Sequence, residues 1–119
     1  MRIHYFQDIM HIVATQVDKA VVLKVSGRMD AENADEFDKA CDAWSSKGSK
    51  NIIADLADLQ YVSSMGLRSF LSAAQKLKAA SGLLMLVGLH GLPLQVFEMT
   101  KLSSLFPMFE STQKALDSL

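Results

Sequence analysis

Two adjacent hydroxyls stand out among the side chains that could do chemistry. Ser63 and Ser64 lie in the run YVSSMGLRSF, Tyr61 to Phe70, where an apolar stretch gives way to the first turn of a helix beside Met65, Gly66 and Leu67. A serine so placed could be a nucleophile, part of a phosphate-binding loop, a modification site or a helix cap. A nucleophile elbow needs G-x-S-x-G together with a histidine and an acid. Val62 stands two residues before Ser64 and Tyr61 two before Ser63, so half of that elbow is absent. The histidines are His4, His11 and His90, and the first two lie in or before the first strand. His90 sits in a loop after an apolar strand, where a single histidine is more often solvated than a base or ligand. The chain is therefore not expected to be an enzyme.

The remaining site chemistries thin out in the same way. No G-x-x-x-x-G-K-[ST] run cradles a phosphate, and Gly88 and Gly91 read as turn glycines. Asp55 with Asp58 is too small a set for a metal, so neither metal nor cofactor is expected. Modification or docking at Ser63–Ser64 fits better, because a helix N-terminus offers unpaired amides and the positive end of the helix dipole. A phosphate there would add roughly −1.5 to −2 charges to a surface of Met65, Leu67 and Arg68, enough to repel a partner that docks apolar surface. Gly66 in the first turn lowers helix propensity by about 1 kcal/mol relative to alanine, which suits a close approach to the backbone. The competing reading is that one serine merely caps the helix and Gly66 avoids a clash with a strand. The residues alone leave both open.

The elements that must position these residues follow from periodicity. The 119 residues predict one compact domain, 1–119, and the net charge of −1 shows no basic excess for nucleic acid or an anionic membrane. Cys41, the lone cysteine, cannot form an internal disulfide, and no apolar run reaches the roughly 20 residues of a membrane span. The start, MRIHYFQDIM, lacks the apolar core of a signal peptide, so a cytoplasmic protein with no membrane insertion is expected. MHIVATQVD and KAVVLKVSG read as two strands, with Asp18–Lys19 suggesting a hairpin between them. Asp30 is placed as the N-cap of a helix that buries Ala34, Phe37, Cys41 and Trp44.

NIIADL is a strand with Ile52, Ala54 and Leu56 on one face. The helix after Ser64 buries Leu67, Phe70, Leu71, Ala74 and Leu77, while Arg68, Ser72, Gln75, Lys76 and Lys78 point outward. SGLLMLVG is a strand covered on both faces, LPLQVFEMT a helix with Pro93 near its start, and LSSLFPMF an edge strand at best. Ser111 or Thr112 caps a last helix carrying Ala115, Leu116 and Leu119. The fold class is α/β, a small mixed sheet of four to five strands flanked by about four helices.

Three pieces, VSGRMD (Val25 to Asp30), NIIADLADLQYVSSMGLRSFLSA and LMLVGL, resemble in order and spacing the STAS domain family, above all its single-domain bacterial anti-sigma factor antagonists. The resemblance runs from about Met10 to Leu119, and residues 1–9 would form an N-terminal extension. It implies a partly parallel sheet with helices on one side. It also implies partner switching: the unmodified antagonist binds an anti-sigma factor with serine kinase activity, phosphorylation ends the complex, and a PP2C-type phosphatase restores it.

The family register, two residues before the glycine, puts the phosphate on Ser64, with Ser63 as second choice. Asp30, Ser63, Ser64, Met65, Gly66, Leu67 and Arg68 would then form or underlie the partner surface, with Leu71 beneath them. Ser63 stands where the family often has Asp, and Met65 where it often has Ser, Thr or Ala, which removes an acidic neighbour of the switch. The alternative is a constitutive STAS binding module, a lipid-transport accessory or sensor subunit, with no phospho-switch.

Overall fold

The structure is a computed structural model describing residues 9–119, so most of the expected N-terminal extension, with His4, lies outside the described residues. Alternating apolar residues make a hairpin of β1 (Met10–Val17) and β2 (Ala20–Met29), paired antiparallel with Val17 opposite Ala20 across the Asp18–Lys19 turn. Four further strands follow: β3 (Asn51–Asp55), β4 (Leu59–Val62), β5 (Leu83–Val87) and the two-residue β6 (Met108–Phe109). The helices are α1 (Ala34–Ser46), α2 (Ser64–Ala79), α3 (Gly91–Met99) and α4 (Thr112–Asp117). The expected small mixed sheet is present, and β4 and β6 bring it to six strands.

Its order is β1-β2-β3-β5-β6, parallel except for the first hairpin. β2 is long enough to serve two neighbours. Its first half pairs with β3, from Val21 opposite Ile52 to Lys24 opposite Asp55, and its last residues pair with β4. The register slips between Gly27 and Arg28, and Gly27 sits there at φ +90°, a conformation that favours glycine.

One face of the sheet carries the main core. Leu23, Val25, Ile52, Ala54, Leu56, Leu84 and Leu86 meet Phe37 and Cys41 of α1, Phe70 and Leu77 of α2, and Phe97 of α3. Ile52, Ala54 and Leu56 share that face as their spacing predicts, while Ile53 turns to the other side. Phe70 is the hub of an aromatic cluster, with ring centroids 4.6 Å from Phe37, 5.4 Å from Phe97 and 6.5 Å from Phe106.

Two expectations are corrected. The helices do not all lie on one side, because Ala115, Leu116 and Leu119 pack with Ile53, Met85 and Val87 on the opposite face. That placement explains why β5 is apolar on both faces. Asp30 is not the helix N-cap either. The residue before α1 is Asn33, and Asp30 closes the turn ahead of it, accepting from the amides of Glu32 at 3.0 Å and Asn33 at 3.1 Å. The Asn33 carboxamide oxygen accepts in return from the Asp30 amide at 2.9 Å.

Candidate functional site

The two motif loops meet where β2 and β4 end side by side. The Ser63 amide donates to the Met29 carbonyl at 2.9 Å, extending the β2–β4 ladder to the last residue before α2. There the chain turns from extended to helical. Ser63 is the N-cap, in β conformation at φ −89° and ψ 175°, and its Oγ accepts from the Gly66 amide at 3.1 Å. The Leu67 amide donates to the Ser63 carbonyl, so the amides of Ser64 and Met65 are the ones that helix geometry leaves without an intrahelical acceptor. No acidic residue occupies the first turn of α2, and its positive dipole end is uncompensated.

Gly66 is explained by close packing. A Cβ at that position would lie 2.7 Å from Val62 Cγ2 and 2.9 Å from Met29 Sδ, so the helix start is pressed onto the ends of β4 and β2. The same close approach buries Leu67 and brings α2 against α1, where the buried Ser69 hydroxyl donates to the Ala34 carbonyl at 2.7 Å. Farther along, Ser72 donates to Asp38 at 2.8 Å and Lys76 bridges Asp38 and Asp42. Of two residues expected to face solvent, Ser72 is half-buried against α1, while Lys76 is exposed as expected and still reaches the carboxylates that α1 carries on the facing side.

The predicted site residues therefore divide by accessibility. Ser64, Met65 and Arg68 are exposed, with Met65 44% exposed despite being apolar. Ser63 and Asp30 are half-buried, the first capping α2 and the second closing the turn before α1; Leu71 is half-buried, and Gly66 and Leu67 are buried and shape the surface from beneath.

Met65 and Arg68 also line a cleft of about 330 Å³ between the starts of α1 and α2, whose other wall carries Glu32, Asp35 and Asp38. The contact between helices that makes them neighbours of Arg68 has no local signature.

The histidines lie elsewhere. His11 and His90 line a separate cleft of about 560 Å³ with Asp58 and Gln60, and His90 Nε2 lies 2.9 Å from the Ala57 carbonyl oxygen. Among the described residues no three His, Cys, Asp or Glu side chains group as metal ligands. Cys41 is buried under α1 beside Asp38 and Asp42, and desolvation first, then those carboxylates, push its pKa up to about 12. No described helix is long and apolar enough to cross a membrane.

A mixed sheet with a half-exposed serine loop at the joined ends of β2 and β4 is a recognisable arrangement, and the STAS domain model matches residues 11–115. The chain belongs to the STAS family. BtrV of Bordetella bronchiseptica, a candidate anti-sigma factor antagonist, is 30% identical over 106 residues, 89% of this chain and 91% of that protein. Among solved structures, an anti-sigma factor antagonist from Mycobacterium paratuberculosis superposes with a TM-score of 0.83 at 22% identity, covering 93% of this chain and 94% of its own. The Bacillus cell fate determinant SpoIIAA in its phosphorylated form matches with a TM-score of 0.72 at 20% identity, over 91% and 98% of the two chains.

Proposed function

We propose that this chain is an anti-sigma factor antagonist that works by partner switching at Ser64. The observation that carries the reading is the difference between two neighbouring hydroxyls: Ser63 is half-buried and holds the Gly66 amide, whereas Ser64 is exposed at the first helical position. A kinase can reach Ser64 without dismantling the cap. The antagonist role of the curated relatives and the existence of a phosphorylated form of SpoIIAA support the same assignment.

In the unmodified state, Met65 and the α1–α2 cleft present the docking surface to an anti-sigma factor that is itself a serine kinase, and the sigma factor is released to direct transcription in the cytoplasm. The kinase then moves the γ-phosphoryl group of ATP to Ser64 Oγ. The Oγ–P bond forms, the bond to the β-phosphate oxygen breaks, and the hydroxyl proton passes to a base on the kinase. The added charge at the centre of the contact ends the complex. A PP2C-type phosphatase hydrolyses the phosphoserine and resets the switch.

Intact-mass spectrometry with fragmentation tests the assignment on protein purified from its own host. The expected result is one phosphate on Ser64, absent from Ser64→Ala. In pull-downs Ser64→Ala should hold the partner persistently and Ser64→Asp should release it, while Ser63→Ala should change binding less. Equal effects of the two alanine variants would move the register to both serines, and a chain unmodified under several growth conditions would make it a constitutive binding module.

A further inference from the structure

We propose that Arg68 is the counter-charge that folds a Ser64 phosphate back onto α2, so that modification changes the charge of the neighbouring cleft as well as that of one residue. The inference rests on the reading of Ser64 as the modified residue. Ser64 and Arg68 lie four positions apart on one helix, the spacing that puts two side chains on the same face about 5–6 Å apart at Cβ. Both are exposed. Among the described residues Arg68 makes no ion pair, whereas Lys76, two turns farther along α2, is already held by Asp38 and Asp42.

Arg68 is also the only described basic residue lining the α1–α2 cleft, opposite Glu32, Asp35 and Asp38. With a free Ser64 hydroxyl, its guanidinium faces those carboxylates across the cleft without an ion pair to any of them. A phosphate one turn above offers oxygens that a guanidinium can engage bidentately, a stronger pairing than a carboxylate across an open cleft. Arg68 would turn to the phosphate, and the cleft lined by Glu32 and Asp35 would lose its one facing cation among the described residues. A partner that docks a basic or neutral group in the cleft would then meet a second change in charge, a helix away from the modified residue.

The test uses the full chain with phosphoserine incorporated at position 64 during synthesis, as wild type and as Arg68→Gln, with the phosphate titrated by ³¹P NMR. Pairing with Arg68 favours the dianion, so the second phosphate pKa should be about 0.3 units or more higher in Arg68→Gln at low salt. The carboxylates of Glu32, Asp35 and Asp38 push it the same way once the cation is gone. The gap should shrink in 1 M NaCl, where exposed charges are screened. Equal pKa values in the two proteins at low salt would overturn the proposal. Because the phosphate is installed without a kinase, that result would leave the Ser64 switch standing, and an unmodified chain in the host would leave the Arg68 pairing standing.

Discussion

At the scale of single residues, the strand-to-helix handover assigns different work to three small residues within four positions. Ser63 holds an amide, Ser64 offers a hydroxyl to solvent, and Gly66 permits contact between backbone and strand. Gly66→Ala should gain about 1 kcal/mol of helix propensity and lose more to overpacking against Val62 and Met29. The expected net outcome in urea denaturation is a destabilisation of about 1 kcal/mol. A neutral or stabilising result would mean that the helix start can move off β2 without loss. The identity of the handover was legible in YVSSMGLRSF, including both roles considered for the serines. Which serine did which was not, because capping depends on the φ and ψ of the residue ahead of the helix.

At the scale of elements, α2 is held by an aromatic cluster on the sheet side and a polar seam on the α1 side. Phe37→Ala would empty a fully buried position beside Phe70, and deletions of this kind cost about 3–5 kcal/mol. The chain should lose that much in denaturant titrations while the remaining folded fraction is still phosphorylated at Ser64. A stable Phe37→Ala protein that specifically lost modification would place Phe37 in the site.

The helix stripes themselves were readable, since Phe37 and Cys41, or Leu67, Phe70 and Leu77, recur at three- and four-residue spacing. The Ser72–Asp38–Lys76 seam was not readable. An isolated helix with those residues is indistinguishable from one with a solvated face, and only the packing of α2 on α1 brings them together. The last helix shows the same limit, because the stripe of Ala115, Leu116 and Leu119 announces a buried face without saying which side of the sheet it covers.

At the scale of the whole molecule, the buried thiol links stability to pH. Burial pushes the Cys41 thiol pKa up to about 12, above the 9.0 of an unburied thiol in the unfolded chain. The folded state thus retains a proton that the unfolded state loses, and the stability this confers is complete below about pH 9 and falls as pH rises toward 12. Lys76 acts in the same direction, its pKa raised first by its hydrogen bond to Asp42 and then by Asp38, with the benefit lost as it deprotonates. Thermal melts from pH 8 to 11 should therefore fall more steeply for the wild type than for Cys41→Ala, after allowance for that variant's lower baseline. Parallel curves would show that the thiol ionises freely in the fold.

The bond from the Ser63 amide to the Met29 carbonyl has a kinetic consequence. In deuterated buffer the Ser63 amide should exchange only when the end of the sheet opens, whereas the neighbouring Ser64 amide, with no acceptor in the helix, should exchange nearly as fast as in a peptide. The boundary between slow and fast backbone thus falls between the two serines. An enzyme that needs a yielding backbone at its active site finds it at Ser64 and Met65 alone, with the strand behind and the Gly66 and Leu67 amides ahead both held.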